Sequence, residues 1–150
     1  MQLLRTSNQD EQFVALTRQL DAELRQRYGQ QQDLYTPHNR LDLIDTALLG
    51  VVDGQAVACG CFKWLDPQSA EVKRMYVHPE WRRRGYSTQL LIALEAWARE
   101  LGVQRLLLET GLGQPEAIAL YHKLGFTPIA NYGPYVSLGN SLCMAKTLVG

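Results

Sequence analysis

The run Glu71-Val-Lys-Arg-Met-Tyr-Val77, followed by His78-Pro79-Glu80-Trp81 and then by Arg82-Arg83-Arg84-Gly85-Tyr86-Ser87-Thr88, decides how this chain is read. It reads as a strand, a basic glycine-containing turn and a helix start. From Gln89 to Leu101 the apolar residues Leu90, Leu91, Leu94, Trp97, Ala98 and Leu101 recur at three- and four-residue spacing. That spacing predicts an amphipathic helix with one face on a core, and Gly102 ends it. The first turn of such a helix has backbone N–H groups without intrahelical partners and carries partial positive charge, so an anion is its natural guest.

Gly85 has no Cβ, so a phosphate oxygen can approach the backbone closely. Ser87 and Thr88 are placed to add hydroxyl donors or to cap the helix, and Arg82, Arg83 and Arg84 to compensate charge. Two phosphates suit the turn better than one, because several consecutive N–H groups point into one concavity. The competing reading is a solvated arginine-rich loop, and one Arg-x-x-Gly-x-Ser match does not separate the two. The rest of the chain has to.

Bulk properties narrow the field. At 150 residues and 46% hydrophobic content the chain suffices for one domain, read here as spanning 1–150, with a sizeable core. Fifteen basic and fifteen acidic residues balance, so no overall field points to nucleic acid or to a membrane surface. The three cysteines form neither a disulfide framework nor a metal-ligand cluster; Cys59 and Cys61 read as small core residues on one side of a strand, and no metal is expected. The N-terminus shows no signal-peptide pattern, and no stretch approaches the ~20 apolar residues of a membrane span, so a cytoplasmic protein is expected.

Outward from the opening stretch, the elements follow in order. Gln2 to Arg5 reads as a short strand, and Asp10 to Tyr28 as a helix with Phe13, Leu16, Leu20 and Leu24 on one face, Asn8 or Asp10 as N-cap and Gly29 as stop. A polar loop and a short helix near 41–45 come next. The runs 47–52 and 55–64 flank Asp53-Gly54, a strong hairpin signal, and 70–77 completes a three-stranded meander after the turn at 66–69. A leucine-rich strand at 104–109, a helix from Pro115 to Leu124 closed by Gly125, and a closing pair of strands at 126–129 and 138–148 complete the chain. Antiparallel strands followed by strand–helix–strand units predict a mixed α+β sheet with helices on its faces. The last run also reads as a sheet edge, a route to a homodimer through its unpaired backbone groups.

This order resembles the GCN5-related N-acetyltransferase (GNAT) superfamily, in its small bacterial form, whose acetyl-coenzyme A motif is Gln/Arg-x-x-Gly-x-Gly/Ala between the fourth strand and the third helix. Arg82, Gly85 and Ser87 stand at its positions, serine being a small departure at the last. Leu107-Leu-Glu-Thr-Gly111, Gln114-Pro-Glu-Ala-Ile118 and Leu120-Tyr-His-Lys-Leu-Gly-Phe126 look like the fifth strand, the fourth helix and the turn after it. The likeness runs from about Ala47 to the C-terminus, while the N-terminal third matches by element order. The resemblance implies a mostly antiparallel sheet of about six to seven strands flanked by about four helices, with strands four and five splayed. It also implies acetyl transfer from acetyl-coenzyme A, as cosubstrate, to a primary amine of a small molecule or peptide. The alternative is a non-catalytic acyl-coenzyme A-binding or regulatory module.

The resemblance places roles on residues. Met75, Tyr76 and Val77 would line the pantetheine arm, with an oxyanion-binding N–H freed by a strand-four bulge near Val77. The turn from Arg82 through Arg83, Arg84, Gly85, Tyr86, Ser87 and Thr88, with Gln114, would hold the rest of the cofactor. Tyr121 would meet the departing thiolate, its other reading being a core aromatic. A lysine-like amine has a pKa of about 10.4 and must lose a proton before it attacks, so a base is needed. Glu71, at the spacing before Arg82 where some members carry a catalytic glutamate, and Glu109, near the end of strand five, are the two candidates beside a water chain; a Glu71 that faces solvent or pairs with Lys73 or Arg74 is the plain alternative. Tyr35, Tyr132 and Tyr135 lie in loops that suit an acceptor site equally with packing over the core edge, His78 reads as a surface turn residue, and His122 points away from Tyr121.

Overall fold

The described residues of the computed structural model are 1–29 and 43–148. Along them run β1 (Gln2–Thr6), α1 (Glu11–Tyr28), β2 (Ala47–Val52), β3 (Gln55–Trp64), β4 (Ser69–Val77), α2 (Tyr86–Glu100), β5 (Arg105–Gly111), α3 (Pro115–Lys123), β6 (Thr127–Ile129) and β7 (Ser141–Thr147). Two short 3-10 turns, Pro79–Trp81 and Gly133–Ser137, join them. The expected short helix falls partly outside the described residues, and positions 43–45 carry no regular structure.

Local chemistry sets these boundaries. Asp10 caps α1, its Oδ1 accepting from Gln12 N at 2.8 Å and Phe13 N at 3.2 Å, which satisfies two of the orphan donors of the first turn. Gly29 ends the helix at φ 60°, its N–H donating to Arg25 O at 2.7 Å. At the β2–β3 hairpin Asp53 and Gly54 have φ 51° and 79°, the paired positive angles that match strand twist in a two-residue loop.

The sheet has seven strands in the order β1-β2-β3-β4-β5-β7-β6. Every neighbouring pair is antiparallel except β4 and β5, which are parallel. Its two faces bury separate clusters. Leu90, Leu91, Leu94, Trp97 and Ala98 of α2 cover one face together with Tyr121 and Phe126, while Phe13, Leu16 and Leu20 of α1 cover the other against Leu49, Cys59 and Cys61. Each such side chain contributes about 1.5–3 kcal/mol on burial, so these helix faces fix the layers.

One expectation is overturned. The C-terminal run is no edge: β7 lies between β5 and β6 and pairs with both. Three-residue β6 returns after α3 and covers it, so the sheet edges are β1 and β6.

Candidate active site

The site begins where the parallel pair ends. β4 and β5 pair from Ser69/Arg105 to Val72/Leu108 and then part. At the same level Cys61 faces Lys73 while Cys59 faces Tyr76, so Arg74 and Met75 together oppose Gly60. This is a β-bulge, which bends a strand and redirects its side chains, and Arg74 takes φ 61° within it. A Cβ on Gly60 would lie 2.6 Å from Met75 Sδ, so the methionine side chain would have to shift to admit one. Cys59 and Cys61 direct their thiols at the carbonyls of Arg74 and Lys73, each at 3.4 Å, and burial pushes the Cys61 thiol up to about 12. They hold the bulge as neutral donors. The bulge therefore sits at Arg74 and Met75, not near Val77, which pairs in register with Ala58; the side chains of the run carry no sign of where an extra residue is inserted.

On one side of the parting strands runs a groove of about 510 Å³. Met75, Tyr76, Val77, Arg83, Gly85, Tyr86 and Ser87 line it, with Gln114 and Tyr121 at its inner end. α2 starts at Tyr86, earlier than its apolar repeat suggests, because the polar first turn adds nothing to that repeat. Ser87 and Thr88 thus lie within the first turn and no side chain caps it; the cap position is Gly85 at φ 80°. A Cβ on Gly85 would meet nothing within 4 Å, so the glycine is required by its backbone angle and leaves the approach open. With Arg83 also at φ 65° and no acidic residue in the first turn of α2, successive amides form a concavity of positive potential. These residues fit the diphosphate of a coenzyme A-type carrier.

The three arginines divide their work. Arg82 donates from Nε to Val77 O and from both terminal nitrogens to the two carboxylate oxygens of Glu23 on α1, all at 2.8 Å. Glu23 holds its pKa above the usual arginine value, and the side chain tethers α1 to the turn. The guanidinium of Arg84 lies 4.8 Å from the Trp81 ring centroid. Arg82 and Arg83 both line the groove with Gly85, and Arg84 does not.

On the α1 side a smaller cavity of about 100 Å³ holds the carboxylates. Glu71 is 3% exposed, not solvent-facing. Its Oε2 accepts from the Tyr132 hydroxyl at 2.7 Å and its Oε1 from Lys73 Nζ at 3.4 Å. Lys73, 8% exposed, also donates to the Tyr135 phenol oxygen at 3.1 Å. Tyr132 and Tyr135 stack edge to face at 5.5 Å, and Asn131 Nδ2 ties their segment to the carbonyls of Tyr135 and Ser141, each at 3.2 Å. Burial raises both phenols, and the Glu71 charge adds to it.

Glu109 sits differently. Burial lifts its pKa to about 7, Glu71 adds to the rise, and Lys73 and a hydrogen bond with Ser141 oppose it. Tyr121, in edge-to-face contact with Phe126 at 6.1 Å, is pushed up to about 12 by burial and by Glu109. Met75, Gln114 and Tyr121 line both cavities, so the groove and the carboxylate pocket meet at Tyr121.

The structure thus brings Glu71, Glu109, Tyr121, Tyr132 and Tyr135 to one place. Tyr35 lies outside the described residues. His78 Nδ1 accepts from Glu80 N at 3.2 Å in its turn, and His122 is exposed. Among the described residues no group of three or more His, Cys, Asp or Glu is placed to hold a metal ion. Sequence reasoning named Lys73 as a partner of Glu71, which the structure shows, but gave it no place in the site, and it missed Glu23 and Tyr28, which come from a helix whose apolar stripe does not mark them.

A mixed sheet whose one parallel pair parts beside an uncapped helix N-terminus defines a protein built to lodge a phosphate-bearing carrier between two strands. The chain belongs to the acetyltransferase (GNAT) family, whose model matches residues 9–126. An "IAA acetyltransferase" of Azospirillum brasilense is 42% identical over 97 residues, 63% of each protein, so the match spans less than two thirds of that relative. A solved structure from Klebsiella pneumoniae, assigned as an acyl-CoA N-acyltransferase, superposes with a TM-score of 0.81 at 32% identity, covering 99% of this chain and 97% of that one. A Salmonella typhimurium protein assigned as an acetyltransferase, solved with its cofactor acetyl-CoA, gives a TM-score of 0.59 at 25% identity over 69% of this chain and 64% of its own.

Proposed function

We propose that this protein is an N-acetyltransferase, moving an acetyl group from acetyl-coenzyme A to a primary amine of a small molecule or peptide by direct attack on the thioester. The observation that carries this reading is the meeting of the phosphate-fitting groove and the carboxylate pocket at Tyr121. Acetyl-coenzyme A, when bound, supplies the activated acyl group. The remaining work falls to the chain.

Amides between Arg83 and Ser87 orient the diphosphate, and Met75, Tyr76 and Val77 line the way to the junction. Glu109 takes the proton of the incoming ammonium. A glutamate near 7 in place of one near 4.5 narrows the gap to an amine of about 10.4 by roughly 3 kcal/mol. Glu71 is a poorer base, because both its oxygens already accept hydrogen bonds. Tyr121, at about 12, holds its proton more tightly than a thiol of about 8.5. It therefore stabilises the leaving thiolate by donating a hydrogen bond rather than by giving up the proton.

No helix among the described residues is long and apolar enough to cross a membrane. A cytoplasmic enzyme acting as one domain is part of the proposal. The test is free-thiol release from acetyl-coenzyme A across amino acids, polyamines, aminoglycosides and peptide N-termini. Release above the amine-free rate with at least one amine is expected. Tight binding with no release for any amine would favour an acyl-coenzyme A-binding module, and absence of binding would overturn both.

A further inference from the structure

We propose that Lys73 is a positioning residue for Glu109: its ammonium, pinned by Glu71 and Tyr135, sets the charge state of the carboxylate that meets the acceptor. This rests on the reading above that Glu109 takes the proton.

The geometry starts from register. Glu71 pairs with Leu107 and Val72 with Leu108, the last pair before the strands part, so Lys73 and Glu109 are the first residues past the paired stretch on the two strands. Both line the same small cavity. The ammonium cannot drift from there. Glu71 Oε1 at 3.4 Å and the Tyr135 phenol at 3.1 Å anchor it, Tyr132 anchors Glu71 in turn, and Asn131 fixes the tyrosine segment to β7. Taking a lysine out of water costs several kcal/mol unless it is paired and hydrogen-bonded. A strand-to-strand brace alone would need no charge, since apolar residues of similar volume do as well.

The other groups facing Glu109 do not replace it. From β4 Glu71 raises its pKa, and from β7 Ser141 lowers it through a hydrogen bond. Tyr121 of α3, Tyr135 of the 3-10 turn and Tyr28 of α1 feel its charge but stay neutral phenols near pH 7, as does the Cys143 thiol opposite it in β7. Arg74, the other cation of the cavity wall, turns its guanidinium to α1, donating to Thr17 O at 2.9 Å and Asp21 Oδ1 at 2.8 Å. Lys73 is the cation that lowers Glu109. Without it, burial would hold the carboxyl protonated through neutral pH and the pocket would lack its base.

Carbon-13 NMR of protein labelled at the glutamate carboxyl carbon tests this in the full chain without any substrate, the Glu109 resonance being assigned by its loss in Glu109→Gln. Lys73→Met should move the Glu109 inflection up by about one pH unit, and Lys73→Arg should leave it near the parent. The acid limb of kcat/KM, with any amine found to be acetylated, should move by the same amount. If Lys73→Met does not fold, Glu71→Gln/Lys73→Met removes the stranded carboxylate. Its inflection still rises, since Lys73 outweighs Glu71 in acting on Glu109. An inflection unmoved or lowered in a folded variant overturns the proposal. The titration is read without acetyl transfer, so a failure of the catalytic reading leaves this result to be judged by itself.

Discussion

At the residue scale, two carboxylates on neighbouring strands differ in what surrounds them. Glu71 is buried with both oxygens engaged, whereas Glu109 lies where the cavity opens toward Tyr121. Glu109→Gln should therefore lower kcat by about 10²-fold or more and abolish the acid limb of the pH–rate profile. Glu71→Gln should keep that limb, moved to lower pH because Glu71 raises Glu109, and should cost stability, because the buried Lys73 ammonium loses one of its two carboxylates. A lost acid limb in a folded Glu71→Gln variant would return the base role to Glu71. Tyr121→Phe should lower turnover about tenfold or more with cofactor affinity unchanged, read by single-turnover kinetics against a binding titration; unchanged turnover with chemistry rate-limiting would reject the role.

Glu109 also links pH to stability. Its folded pKa, about 7, lies above the ordinary glutamate value of 4.5, so between these values the folded chain binds more protons than the unfolded one. Its contribution is full below the unfolded value and is lost as pH rises through the folded value. The charged form then costs at most about 3 kcal/mol. Glu109→Gln should raise the unfolding temperature relative to the parent at pH 8 and not at pH 5, and equal shifts at both would contradict the burial argument.

At the element scale, what was legible followed from strong local rules. Asp53-Gly54, Gly29 and the α2 stripe needed no tertiary knowledge, since backbone angles and helical spacing speak through residue type. The bulge was misplaced because it depends on how Cys59 and Cys61 meet β4 across the sheet, which no local pattern records. The phosphate turn stands between these cases. Its glycine was plain, but that Arg82, which lines the groove, also binds Glu23 of a distant helix was not. Gly85→Glu should force a side chain into the left-handed region and bring a negative charge to the mouth of the groove. It should weaken acetyl-coenzyme A binding at least tenfold while the folded fraction stays high, as read by calorimetry and circular dichroism.

At the scale of the whole molecule, strand order was within reach except for its far end, where β6 lies outside β7 and closes the edge. That β6 and β7 form the closing pair was legible in their runs; that β7 also pairs with β5, leaving β6 at the edge, was not. The site was legible as separate residues; that Tyr132 and Tyr135 reach Glu71 and Lys73 across about sixty positions was not, since the sequence carries no signal for side chains that meet only once the sheet is formed. Calorimetric titration of the folded chain with acetyl-coenzyme A and with coenzyme A puts the carrier site to the most direct test. One binding event per chain, with heat lost in Gly85→Glu, is the predicted result; no heat with either ligand, confirmed by a second binding method, would contradict it.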